Sequence, residues 1–250
     1  MIKAITFDLW DTVFIDDSDE PKRKAAGRPS KKVERRDIVF KYANRHKKID
    51  REFIDIVYDT VDEAFRKVWH DQHVTWTVEE RLTVLFKGLK IELADNEMKE
   101  VVRLHEEMEL EFRPDFVPGV HEAIKELHGK YKLGVISDAI FSPGRVLKQI
   151  LEGEDLLHYF DSFVFSDEIG CAKPQSPVFE KSFENLSVKA EEVVHIGDRE
   201  HNDILGPKKN GMKAILCTAS LDRGSEDTQA DAVFSDYSKL PEIIESINNS

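Results

Sequence analysis

An apolar run from Ile2 to Phe7 ends on Asp8, with Leu9, Trp10, Asp11 and Thr12 directly behind it. A strand that delivers a carboxylate to its C-terminal edge is a place for nucleophilic chemistry, because the backbone is held while the side chain meets the crevice where ligands enter. Downstream the chain supplies the partners such an aspartate needs. They are an apolar segment ending at Ser137, a Lys173-Pro174 loop, and Gly197-Asp198 followed by Asn202-Asp203. Taken singly none is specific: an aspartate commonly closes a turn, a loop lysine is ordinarily solvated, and a serine at a strand end means little. The weight lies in their order and in their position at the ends of apolar segments.

Short β-rich runs recur at residues 2–9, 131–137, 160–165, 193–197, 214–217 and 232–234, several of them separated by helical stretches. Strands alternating with helices imply crossovers and a parallel sheet. Pro118-Gly119 opens one helix, in which Val120, Ala123, Ile124 and Leu127 keep helical spacing until Gly129, and Val178, Phe179, Phe183 and Leu186 keep it over 175–186. The expected core is a three-layer, Rossmann-like α/β unit on a parallel sheet. Between Asp16 and Pro114 no strand signature occurs. Ile54, Val57, Val61, Phe65 and Val68 step along one helical face, and Thr77-x-x-Glu80 has the form of a capping box before Leu82, Leu85 and Phe86. Val101, Leu104 and Met108 mark a further helix. The chain is therefore expected to divide into an α/β core of residues 1–15 and 115–250 and an all-helical insertion of residues 16–114.

With 250 residues, 40% of them hydrophobic and 9% aromatic, the chain can bury a core and an inserted module. Thirty-six basic against forty-nine acidic side chains give a formal charge of −13, which argues against nucleic acid or an anionic membrane as partner. Two cysteines, Cys171 and Cys217, make no disulfide framework and fit a reducing compartment. Neither a signal peptide nor a membrane span is legible, so the expected location is cytoplasmic. One charge run stands out, in which Asp16, Asp17, Asp19 and Glu20 lead into Lys22, Arg23, Lys24, Arg28, Lys31, Lys32, Arg35 and Arg36. It is read first as a solvated hinge and helix start, which charge runs usually are, and second as a basic gate that draws an anionic substrate to the mouth of the site.

The four segments resemble the four motifs of the haloacid dehalogenase-like (HAD) hydrolase superfamily, over roughly residues 1–15 and 115–240. The resemblance implies that Asp8 is the nucleophile, attacking phosphorus in most of the family to give an aspartyl intermediate that water hydrolyses. It implies that Ser137 donates a hydrogen bond to the transferring phosphoryl group, and that Lys173 neutralises both the nucleophile and the developing charge. Asp8, Asp198 and the backbone carbonyl of Trp10, with Asp203 in support, would then hold Mg2+, a hard ion that takes oxygen ligands and keeps several waters. Trp10, Ser137 and Lys173 would contact the substrate, a small phosphorylated or otherwise anionic metabolite. His195 and His201 flank the last motif and are read as strand packing and loop surface, since magnesium favours neither. In this superfamily an insertion directly after the first motif is a cap domain over the catalytic edge. Trp69, His70, His73 and Trp76 cluster in that insertion; they are read first as core and surface of the cap, second as the lining of a pocket from the cap side, and are not named as site residues.

Position 10 departs from the common D-x-D-x-T pattern, in which the second acid protonates the leaving alcohol. Trp10 offers only an N–H that does not titrate usefully. Asp11 is expected in a tight turn, pointing elsewhere. An aromatic residue here is similar to the 2-haloacid dehalogenases, which displace halide and need no such acid, yet those enzymes lack the Gly-Asp pattern kept at Gly197-Asp198. Three readings follow: a magnesium-dependent phosphohydrolase, favoured because the metal acids are present; a carbon–halogen hydrolase; and a non-catalytic ligand-binding domain.

Overall fold

The computed structural model describes residues 1–249. Six strands, β1 (Ala4–Phe7), β2 (Lys132–Ser137), β3 (Ser162–Phe165), β4 (Val193–Gly197), β5 (Lys213–Cys217) and β6 (Ala232–Phe234), form one parallel sheet in the order β3-β2-β1-β4-β5-β6. Each expected run is a strand, with bounds moved by at most two residues. The helices are α1 (Asp19–Ala25), α2 (Lys31–His46), α3 (Arg51–Gln72), α4 (Val78–Leu89), α5 (Asp95–Glu106), α6 (Met108–Glu111), α7 (Val120–Leu127), α8 (Gly144–Gly153), α9 (Ser166–Ile169), α10 (Ser176–Leu186), α11 (Gly206–Lys209) and α12 (Leu240–Asn249).

Successive side chains of a strand point to opposite faces, and that alternation builds the layers. Ile5, Phe7, Val135 and Ile196 pack with Ile124 of α7, Ile150 of α8 and Ile244 of α12. Ala4, Ile136 and Val193 pack on the other face with Val178, Phe179 and Leu186 of α10. The result is the expected three-layer α/β fold. From β1 the chain runs outward through β2 to β3, then returns to β4 on the other side of β1 and continues to β6. The order thus reverses between β1 and β4, and the crevice beyond the strand ends at such a point is where open α/β sheets bind ligands. Phe7 pairs with Ile196 in register, so Asp8 and Asp198 leave the sheet side by side at that crevice.

Helices α1–α6 lie between β1 and β2. Ile54, Tyr58 and Val61 of α3, Leu82, Leu85 and Phe86 of α4, Val39 of α2 and Val101 of α5 form a separate apolar cluster. The capping box closes as its sequence form suggests: Thr77 Oγ1 accepts from the Glu80 N–H at 3.2 Å, and the Glu80 carboxylate accepts from the Thr77 N–H at 2.8 Å. The face expected to run on to Met108 does not, because α5 stops at Glu106 and Met108 opens a separate helix. Where the chain enters and leaves this region its two segments run side by side: the Ile15 N–H donates to the Asp115 carbonyl at 2.8 Å and the Val117 N–H to the Val13 carbonyl at 3.0 Å. The segment after α3 also reaches the loop that carries Lys173, with Ala172 N–H donating to the His73 carbonyl at 2.7 Å. No helix among the described residues is long and apolar enough to cross a membrane.

Candidate active site

Asp8 follows β1 directly, and its N–H donates to the Ile196 carbonyl of β4 at 2.8 Å, so sheet pairing fixes the residue at the reversal point. Lys173 enters from the loop between α9 and α10. Its ammonium donates to Asp8 Oδ1 at 2.7 Å and to Asp203 Oδ1 at 2.6 Å, with all three side chains buried. Asp203 is held from three sides. The Arg199 N–H donates to its Oδ2 at 3.0 Å and His195 Nε2 lies 3.2 Å from its Oδ1, while His195 Nδ1 lies 2.8 Å from Thr6 Oγ1. A Cβ on Gly197 would stand 2.4 Å from the Asp203 side chain, so the glycine is what lets that carboxylate come under the strand end. Asp198 accepts from Arg223 Nε through Oδ2 at 2.6 Å, and its buried Oδ1 meets no partner. One oxygen each of Asp8, Asp198 and Asp203 lies within 4.8 Å of the others, an all-oxygen set suited to a hard cation.

Burial works against every charge here, and the neighbours decide the outcome. Burial would discharge Lys173, but Asp203 and Asp8 outweigh it and hold the ammonium well above the ordinary lysine range. Burial would likewise raise Asp203, yet Lys173 and then His195 bring its pKa down, so it stays ionised. Burial raises Asp8, opposed by Lys173 and reinforced by the charge of Asp203. Asp198 is pushed up to about 7 by burial and then by the charges of Asp203 and Asp8, against the hydrogen bond from Arg223. Burial keeps His195 below its usual value, with Asp203 opposing.

Above these groups lies a cavity of about 640 Å³. Asp8, Trp10, Lys173 and Asp203 line it from the sheet edge, and Arg35, Asp62, Trp69 and Arg81 from α2–α4. Trp10 is half-buried and stands edge-on to Phe14 with ring centres 5.5 Å apart. Asp138, also in the wall, accepts from the Lys173 N–H at 3.0 Å and from Asn202 Nδ2 at 3.2 Å. Burial pushes its carboxyl up to about 7 against the nearby Lys173.

The family model of the haloacid dehalogenase-like hydrolases matches residues 41–217, well over half of the chain. The chain belongs to that family. The match takes in Ser137, Lys173, Asp198 and Asp203 and starts beyond Asp8. Among curated relatives, a glyceraldehyde 3-phosphate phosphatase of Methanothermobacter thermautotrophicus is 33% identical over 138 residues, covering 51% of this chain and 58% of that protein. A pyrophosphatase, PpaX, of Halalkalibacterium halodurans is 31% identical over 139 residues, covering 54% and 61%. The chain thus spans less than two thirds of the length of these relatives. Among solved structures, a 2-haloacid dehalogenase from Pseudomonas syringae pv. tomato superposes with a TM-score of 0.71 at 23% identity, covering 99% of this chain and 100% of that one. A HAD phosphatase from Thermococcus onnurineus gives 0.63 at 22%, covering 97% and 98%. At such identities these two likenesses speak for the fold alone.

The fold brings Asp8, Lys173, Asp198 and Asp203 into one cluster. Ser137 ends the neighbouring strand β2, with its hydroxyl buried and without a partner, and Asp138 rather than Ser137 lines the cavity. Asp11 adopts a left-handed turn with φ 54° and accepts from Ser220 Oγ at 2.9 Å and from Arg223 at 2.5 Å, pointing away from the cavity wall. His201 is exposed, and His195 is strand packing that also touches Asp203. Two expectations need correction. Trp69 and His70, read first as core and surface of the insertion, lie in the cavity wall, because the last turns of α3 face the sheet edge. The basic run is only partly solvated: Arg23, Lys31, Arg35 and Arg36 are buried, and three of them form ion pairs, Arg36 with the exposed Asp59. Arg223 and Asp138 escaped the sequence reading. Arg223 sits far down the chain in a loop with no distinguishing pattern, and the one available signal for Asp138 was its adjacency to Ser137.

Proposed function

We propose that this hydrolase is a magnesium-dependent phosphatase that acts on a small phosphorylated metabolite through an aspartyl-phosphate on Asp8. The observation that carries the reading is a charge imbalance. Three buried aspartates converge within 4.8 Å around a single buried lysine, and an oxygen of Asp198 is left without a partner. Such a set calls for a cation. Asp8, Asp198 and the Trp10 carbonyl would hold magnesium with Asp203 behind them, and when bound the ion supplies positive charge for the transferring phosphoryl group.

The chain's own residues account for the remaining steps. The Asp8 carboxylate attacks phosphorus as the bond to the leaving oxygen breaks, and that oxygen takes its proton from water because Trp10 supplies none. Lys173, fixed between Asp8 and Asp203, favours the ionised form of Asp8 and presents N–H groups to phosphoryl oxygens. The unpartnered Ser137 hydroxyl is the proposed second donor. Water then cleaves the acyl phosphate, and Asp8 returns as carboxylate. Helices of residues 16–114 act in this proposal as a cap, supported by their contribution to the wall of the cavity over Asp8. Relatives named as phosphatases of glyceraldehyde 3-phosphate and pyrophosphate support the phosphate class. Two free cysteines, Cys171 and Cys217, support a cytoplasmic location.

Trp10, standing where this family's phosphatases carry their acid, favours a second reading, carbon–halogen hydrolysis. The deciding experiment follows phosphate release from a panel of phosphorylated metabolites and halide release from 2-haloacids, each with magnesium and with excess EDTA. Phosphate release that EDTA abolishes is the expected result. Halide release unaffected by EDTA, with no phosphate release, would replace the first reading by the second.

A further inference from the structure

Six lysine and arginine side chains are buried among the described residues: Arg23, Lys31, Arg35, Arg36, Arg81 and Lys173. Five of them face a carboxylate: Arg23 meets Glu34, Lys31 meets Asp19 and Glu109, Arg36 meets Asp59, Arg81 meets Asp62, and Lys173 meets Asp8 and Asp203. Arg35 is the exception. It is 7% exposed, forms no ion pair, and its Nε is buried without a hydrogen-bond partner. Its guanidinium lies 3.6 Å from the centre of the Phe141 ring, with the Arg81 guanidinium 4.0 Å from the same ring.

The acids nearby are already engaged. Glu109 gives Oε1 to Lys31 at 2.8 Å and Oε2 to the Ser142 hydroxyl, and Asp62 gives Oδ1 to Arg81 at 2.7 Å. Burial pulls the Arg35 guanidinium below its ordinary pKa, with the charge of Glu109 only partly opposing. An arginine does not shed its proton in a protein, and a buried charge without a counter-charge is strongly unfavourable. Arg35 lines the same cavity as Asp8 and Lys173, so the missing anion can come from a molecule held there.

We propose that Arg35 is a specificity-determining anion subsite, and that it takes the carboxylate of a phosphorylated carboxylic acid whose phosphoryl group lies at Asp8 and Lys173. The second half of this statement rests on the phosphatase reading. A carboxylate fits better than a second phosphate for a reason of charge. Arg81 and Asp62 cancel beside it, and a dianion would bring an extra negative charge near both Asp62 and Glu109. The planar fork of the guanidinium, held against the Phe141 ring, matches two carboxylate oxygens.

The test is calorimetry on the Asp8→Asn protein with magnesium present, so that ligands bind without turning over. Its probes are matched pairs that differ in a carboxylate, 3-phosphoglycerate against glycerol 3-phosphate and the corresponding two- and four-carbon pairs. The acid of at least one pair should bind tenfold more tightly or better, Arg35→Met should bring that ratio to within about twofold of one, and Arg35→Lys should restore part of it. Equal affinities within every pair, or a preference that survives Arg35→Met, overturns the subsite. The comparison on the protein with Arg35 intact stands even if Arg35→Met fails to fold. Selective binding of the acid without phosphate release by the wild type would overturn the phosphatase reading and leave the anion subsite standing.

Discussion

Lys31 and Lys173 are both buried and each bridges two carboxylates, Asp19 and Glu109 in the one case and Asp8 and Asp203 in the other, at 2.6 to 2.8 Å. Their surroundings differ. Lys31 opens α2, Asp19 opens α1 and Glu109 lies in α6, so this bridge fastens the first helices after β1 to α6. Only two buried acids meet Lys31, while Asp17, at 3.3 Å from it, is left largely in solvent. Around Lys173 the charges do not balance: Asp198 adds a third buried carboxylate, and the nearest further cation, Arg223, reaches in from the surface. A buried lysine between two acids is therefore not by itself the mark of a site. What distinguishes Lys173 is the surplus of negative charge, placed at the reversal point of the sheet.

If the surplus serves chemistry, the largest effect should come from its first member. Asp8→Asn keeps shape and removes the nucleophile, so turnover is expected to fall on the order of 10⁴-fold or more while circular dichroism stays unchanged. Activity within tenfold of wild type would show that another group attacks. The next effect concerns Trp10. General acid catalysis contributes about 10²–10⁴-fold, and a site without the acid gives that help to no substrate. The rate should then fall steeply with the basicity of the leaving alcohol, aryl and acyl phosphates outrunning alkyl ones, and Trp10→Asp should flatten the slope. A leaving-group series at saturating magnesium measures this. A shallow slope in the wild type, with chemistry rate-limiting, would place an acid elsewhere, and Asp138, in the cavity wall beside the Lys173 N–H, is the first residue to exchange.

The sequence told the two lysine clusters apart only in part. Strands and their carboxyl ends are legible because apolar runs ending on Asp8, Ser137 and Gly197 are local features of strands buried on both faces. The same holds for the α4 cap, where Thr77 and Glu80 lie within one turn. Arg35 and Arg36 mark the limit of such reading. They are neighbours of one type on one helix, yet Arg36 turns to Asp59 while Arg35 turns to Phe141, and only the packing of α2 against α3 and the segment after β2 decides which is left without a carboxylate. The contacts of Arg223 with Asp198 and Asp11 join residues 25 and 212 positions apart and leave no local pattern.

Breaking the Lys31 bridge should affect stability rather than chemistry. Lys31→Met leaves Asp19 and Glu109 buried without their shared cation, and removal of one partner from a buried pair costs about 3–5 kcal/mol. Urea unfolding followed by fluorescence should show the midpoint fall by a corresponding amount, with the turnover of the folded fraction little changed. A loss under about 1 kcal/mol, where exposed ion pairs lie, would mean that the insertion is fastened by its backbone contacts at Ile15 and Val117 instead.

The smallest expected effect is a pH dependence of magnesium binding at the Lys173 cluster, where Asp198 and Asp203 act with opposite sign. Asp198 has its pKa raised to about 7 by burial and by the charges of Asp203 and Asp8. A carboxyl raised on folding contributes stability below its unfolded value, near 3.9, and that contribution is lost as pH rises through the folded value. The metal-free protein should therefore lose stability between about pH 4 and 7 from this group. Asp203 runs the other way: its pKa is depressed, chiefly by Lys173, so its contribution is present above the unfolded value and is lost only in stronger acid, outside this window. A cation at Asp198 competes with the proton and relieves the repulsion. The rise in Tm caused by magnesium should grow from pH 5.5 to pH 8, and the apparent affinity should weaken by about tenfold per unit of pH below 7, as expected for one displaced proton. Thermal scans in EDTA and in magnesium across that range provide the measurement. An increment that stays constant from pH 5.5 to pH 8 would mean that Asp198 remains ionised beside Arg223 without the metal, and the surplus charge that separates Lys173 from Lys31 would already be neutralised by the protein itself.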